Sequence, residues 1–164
     1  LIDRKDKNMA RLSNNEAQSG WTDYITIDYS HADFVASTTD DADVLINYPL
    51  KAGEALVAVG WRLDEAFNDS GGGDELTLMI GDTSSDPDGY ITDKEIHGDG
   101  TEIVYAFSDG ALLDNENGVL KTADDNITLK FSPNTATGQS YALSELTAGS
   151  ITVYFHIKRL TNLQ

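Results

Sequence analysis

The segment Ser150 to Arg159, SITVYFHIKR, alternates apolar and polar residues without a break, and no other feature constrains the chain so tightly. Ile151, Val153, Phe155 and Ile157 fall on one side, and Thr152, Tyr154, His156 and Lys158 on the other. Successive side chains of a strand point to opposite faces, so this pattern predicts a β-strand with one buried face. A strand cannot satisfy its own backbone N–H and C=O groups, and the chain is thereby committed to a sheet. The same period returns in Ile25, Ile27 and Tyr29, in Val44, Ile46, Tyr48 and Leu50, and in Leu76, Leu78 and Ile80. It returns again in Ile103, Tyr105 and Phe107, and in Ile127, Leu129 and Phe131, where Pro133 is expected to end the strand.

One run is longer. In ALVAVGWRLDEAF, Val57, Val59, Trp61 and Leu63 form the expected deep face, while Leu56 and Ala58 imply that the first half is covered on both sides. Gly60 marks a bulge or a close approach within it. Asn117-Gly118 is a tight-turn signal between two short apolar runs. Seven to nine strands joined by turn-rich loops, with at most two short helices, predict an all-β domain, an antiparallel β-sandwich or jelly roll. Residues 22–164 are assigned to that domain. Residues 1–21 are polar and aperiodic and are read as an extended N-terminal arm.

The strand LTLMIG runs into an acid-rich turn, DTSSDPDGYITDKE, which has two readings. Counted from Ser84, Asp86, Asp88, Gly89, Ile91 and Glu95 occupy the third, fifth, sixth, eighth and twelfth positions of a calcium loop. Asp82, Asp86, Asp88 and Glu95 are then candidate calcium ligands. Ser84, however, stands where the first ligand is expected, and a strand precedes the loop where an EF-hand needs a helix. The other reading is an Asp-Pro-Asp-Gly turn, with Thr92 and Glu95 forming a capping box for a short helix over Asp93 to His97.

Charge narrows the partners. The chain of 164 residues carries 28 acidic and 11 basic side chains, for a net charge of −17, which disfavours nucleic acid and anionic membrane as partners. Arg4, Lys5, Lys7 and Arg11 face only Asp3 and Asp6 in the first eleven residues, so a basic arm precedes a body with seven basic and 26 acidic residues. These four cations, with Trp21 at the junction of arm and first strand, are the candidate partner-binding residues. Nothing is apolar for long enough to span a bilayer, and the chain reads as soluble.

Catalytic constellations are missing from the sequence. His31, His97 and His156 are far apart, there is no cysteine, and no serine sits in a nucleophile elbow. Trp61 is in the inward register and is expected in the core. Tyr24 and Tyr154 are the outward aromatics, fewer than a sugar-binding platform wants.

The pieces TDYITIDYS, VAVGWRLDEAF, LTLMIGDTSSDPDGYI and AGSITVYFHI, spanning Thr22 to Arg159, together resemble a small β-sandwich domain of tailed-bacteriophage structural proteins, of the head decoration type. The resemblance implies a virion component without catalysis and without a required cofactor. On this resemblance it is expected to sit on the capsid surface, to bind the major capsid protein or other virion proteins, and to associate with itself as a trimer or dimer. A tail-associated subunit and a calcium-dependent, carbohydrate-binding module are the alternatives.

Overall fold

The computed structural model describes residues 21–69, 75–82, 86–98, 106–107, 119–134 and 140–159. The strands are β1 (Trp21–Ser30), β2 (Val44–Leu50), β3 (Glu54–Asp69), β4 (Glu75–Gly81), β5 (Ile91–Glu95), β6 (Ala106–Phe107), β7 (Val119–Leu120), β8 (Asp125–Asn134) and β9 (Leu146–Arg159). Short 3₁₀ turns at His31–Phe34 and Leu143–Glu145 are the helical elements among the described residues. One sheet runs β1-β9-β3-β6, with β7 also on β3, and the other runs β2-β8-β4-β5. All these pairings are antiparallel. First and last strands are neighbours, as are second and next to last, and most connections pass between sheets, β4 to β5 staying within one. That order makes the sandwich a jelly roll.

The predicted inward set of β9 is buried as the alternation requires, with Ile151, Val153, Phe155 and Ile157 packed in the core. They meet Leu78, Ile80, Ile127, Leu129 and Phe131 from the facing sheet. Trp61 is also enclosed. Truncating a buried aromatic of this kind to alanine removes about 3–5 kcal/mol, because transfer energy and cavity cost add.

β3 departs from simple alternation. Its ladder with β9 shifts between Leu56 and Ala58, again between Leu63 and Glu65, and twice more before Asp69. The first shift inserts Val57 as an extra residue, so inward parity passes from Leu56 to Val59, Trp61 and Leu63. Val57 is therefore only half-buried, not part of the deep face. The bulges lie elsewhere than Gly60, which stays in register opposite Tyr154 and Phe107.

Two further expectations are corrected. Residues 91–95 form β5, not a helix from Asp93 to His97: Ile91 and Glu95 pair with Ile80 and Thr77 of β4, and these ladder bonds outweigh a local capping signal. Pro133 lies inside β8 rather than after it. The β2 ladder stops at Phe131, so a missing N–H two residues later costs no bond on that side. The predicted strand from Thr101 is described only at β6, and Asn117-Gly118 lies outside the described residues.

Gly149 lets β9 cross Phe67. Its φ is +124°, and a Cβ there would sit 2.3 Å from the Phe67 ring and 2.6 Å from its Cα. Gly149→Ala is expected to lower stability by about 2–4 kcal/mol, through steric overlap and a left-handed φ. A denaturation midpoint unchanged from wild type would contradict this packing.

Candidate functional site

β4 delivers the acidic turn. The strand ends at Gly81, where a Cβ would fall 1.8 Å from the backbone oxygen of Asp86, so the returning turn lies directly on the glycine. Tyr90 N–H then donates to Ile80 O at 2.8 Å and starts the return into β5. Asp82 is held from outside this segment: Lys121 Nζ donates to Asp82 Oδ2 at 3.1 Å and also bridges Asp125 Oδ2 at 2.8 Å. The lysine side chain is only 11% exposed, which makes this pair of contacts a partly buried cation clamp between β4 and the start of β8. Burial alone would lower the Lys121 pKa, but the hydrogen bonds to Asp125 and Asp82 outweigh it and hold the ammonium above the usual lysine range. The bond from Lys121 in turn holds Asp125 below the usual carboxylate range. Burial pushes the nearby Tyr90 phenol up to about 12, against the opposing charge of Lys121.

Glu95 sits elsewhere. Its Oε1 accepts from Leu76 N–H at 3.2 Å and from His97 N–H at 2.8 Å, near the start of β4. Burial raises its pKa in spite of these two bonds. Glu95 pairs with Thr77 and Asp82 follows Gly81, a separation of five strand positions, or roughly 17 Å at about 3.3 Å per residue. The fold thus gathers Asp82 with Lys121 and Asp125, and sets Glu95 apart from them. Asp86 is half-buried in the turn and Asp88 is exposed, while Ser84 lies outside the described residues. Among the described residues, no group of three or more His, Asp or Glu side chains is placed to hold a metal ion. Arg4, Lys5, Lys7 and Arg11 also lie outside the described residues, and Trp21 is placed as the first residue of β1, paired with Arg159.

The outer face of the β1-β9-β3 sheet carries an arrangement that period-two reading missed. Thr152 Oγ1 lies 2.8 Å from Asp28 Oδ1 and 2.6 Å from Asp64 Oδ2, and Arg62 Nε donates to Asp64 Oδ1 at 2.5 Å. One hydroxyl proton serves one carboxylate at a time. Burial raises the Asp64 pKa, but the bonds from Thr152 and Arg62, with the Arg62 charge, together bring it below the usual value. The flanking carboxylates cover Thr152, which is why this outward residue is only 5% exposed. Further along the same face Tyr24 stacks on His156, ring centroids 4.5 Å apart, and Tyr24 remains 79% exposed. Burial lowers the His156 pKa, and Lys158 adds to the effect. The cross-strand register Asp28–Thr152–Arg62 is the signal that brings these groups together, and it emerges only once β1 and β3 are known to flank β9.

No protein-family profile matches the chain, and no curated protein matches it. Among solved structures, the fold is similar to a chain in the capsid asymmetric unit of cyanophage Pam1, with a TM-score of 0.55 and 15% sequence identity, over 96% of this chain and 99% of that one. At that identity the likeness is one of fold.

The clamp makes two predictions. Lys121→Met leaves Asp82 and Asp125 without their common donor and is expected to cost about 1–3 kcal/mol at neutral pH. Asp125 is depressed in the fold, so its contribution is present above the unfolded carboxylate value and is lost as pH falls through the folded one. Lys121 is raised, so its contribution is present below the unfolded lysine value and is lost as pH climbs through the folded one. The gap between wild type and variant in pH-resolved denaturation should be widest between roughly pH 5 and 10 and close on the acid side. A gap independent of pH would contradict the clamp. Secondly, with Asp82 occupied by Lys121, calorimetric titration with calcium should release no heat and leave the melting temperature unchanged, whereas a rise would assign the turn to metal.

Proposed function

We propose that the protein is a non-enzymatic structural component of a virion, and more specifically a capsid decoration protein. In this reading it binds the head exterior as a small oligomer, a trimer or dimer, and stabilises the shell. One observation carries the reading: a chain in a phage capsid asymmetric unit is similar in fold over nearly the whole length of both chains. The chemistry agrees with it. On the outer sheet face Asp28, Asp64 and Thr152 are engaged in cross-strand bonds, and the partly buried cation Lys121 serves as a clamp.

The division of charge supplies the mode of attachment. An acidic body repels its own copies at low salt and depends on specific contacts to crowd on a shell. The arm carrying Arg4, Lys5, Lys7 and Arg11, joined to the body at Trp21, is the part with the opposite sign. It contacts the major capsid protein or an adjacent copy. Deleting residues 1–20 is expected to abolish co-sedimentation with undecorated heads while leaving the melting temperature of the sandwich unchanged. Binding retained by the truncated chain would overturn the assignment of attachment to the arm.

A further inference from the structure

The two sheets end unequally. β1 pairs along its whole length with β9, and β2 with β8; among the described residues neither pairs with a further strand. Both edges lie on one flank, since the Tyr48 ring of β2 is 5.3 Å from Phe155 of β9 and the Tyr29 ring of β1 is 5.9 Å from Phe131 of β8. Among the described residues, the core is incompletely covered along this flank. Ile25, Ile27, Val44 and Ile46 face inward but are only half-buried, whereas Val153, Phe155, Leu129 and Phe131 on the adjoining strands are at most 1% exposed. An open edge beside apolar side chains is a template for an added strand.

Charge selects the occupant. Between Trp21 and Leu50 stand Asp23, Asp28, Asp33, Asp40, Asp41 and Asp43, with no lysine or arginine. Lys130 of β8 pairs with Asp43, at 2.9 Å. A second acidic body brought edge to edge would add like charge to like. Residues 1–20 carry Arg4, Lys5, Lys7 and Arg11 against Asp3, Asp6 and Glu16. Lys5, Lys7 and Arg11 share parity, so an added strand presents all three on one face.

We propose that the outer edge of β1 receives residues 1–20 of a neighbouring copy as an added strand, with the half-buried residues of β1 and β2 completing their burial beneath it. β1 is the better template, since β2 carries Pro49 and lacks one donor. The neighbour is favoured over the chain's own arm by direction. β1 begins at Trp21, so the chain's own arm would need a reversal just before Trp21 to lie along β1, whereas a neighbour's arm needs none. Extended, 20 residues reach roughly 66–70 Å, about twice the length of a ten-residue strand. The inference rests on the structural reading above only in supplying a neighbouring copy.

Its test needs no virion. Amide hydrogen exchange of the full chain is followed across a dilution series, with sedimentation reporting the oligomer, for wild type and for Lys5→Glu/Lys7→Glu/Arg11→Glu. Outward amides of residues 21–30 are expected to exchange about tenfold more slowly in the associated state than after dilution, and charge reversal should remove that protection. Protection unchanged on dilution would place the chain's own arm on β1 and overturn the proposal. A chain monomeric at every concentration, or protection that survives charge reversal, would overturn it equally. Failure to bind heads, with this exchange pattern intact, would fall on the capsid reading alone.

Discussion

The backbone ladder of β9, bonded to β1 on one side and β3 on the other, is the interaction on which the remaining structure depends. It joins the end of the domain to its beginning, so the sandwich closes only when the last strand is in place. Its inner face supplies Ile151, Val153, Phe155 and Ile157 to the core, and its outer face aligns Tyr24 with His156 and Asp28 with Thr152. Both faces follow from one register, and a slip of one residue would exchange them. Non-local pairing of this kind makes the fold slow to form, with contacts that span most of the sequence.

The two flanks of the sandwich then take different roles. On the β4–β5 side the acidic turn is closed from within, because Lys121 supplies a tethered ammonium to Asp82 and Asp125. A chain rich in carboxylates and poor in cations uses partly buried positive groups as fasteners. Glu54, 5% exposed, is likewise matched by Arg159 at the other end of β9's ladder with β3. On the β1–β2 side Lys130 pairs with Asp43 and Lys51 with Asp124 nearer the surface, and the apolar seam between the two edge strands is flanked by acids. The added strand proposed for β1 would lie on this second side.

Period-two alternation made most strands legible, because a half-buried strand must alternate and little else in a sequence does so. β9, β2 and β4 needed no other information. β3 was legible as an element but not in detail: the bulge at Val57 reverses inward parity, and nothing in LVAVGW marks the site, since Val57 differs from its neighbours only in what β9 offers opposite it. β5 was hidden by Thr92 and Glu95, which spell a helix cap locally and act as strand residues once β4 is alongside. The acidic turn was visible as a cluster of Asp82, Asp86 and Asp88. Its cation was not, because Lys121 lies 39 residues downstream of Asp82 and the pairing exists only in three dimensions. The Asp28, Thr152 and Asp64 contacts were invisible for the same reason, each coming from a different strand.

The proposed role places this jelly roll in a virion, on the capsid surface. The most direct measurement is electron microscopy of purified particles with gold-labelled antibody against the chain. The account predicts gold distributed over the heads. Particles free of label, under conditions where a known capsid antigen is labelled, would contradict it, and label confined to tails would contradict the decoration role.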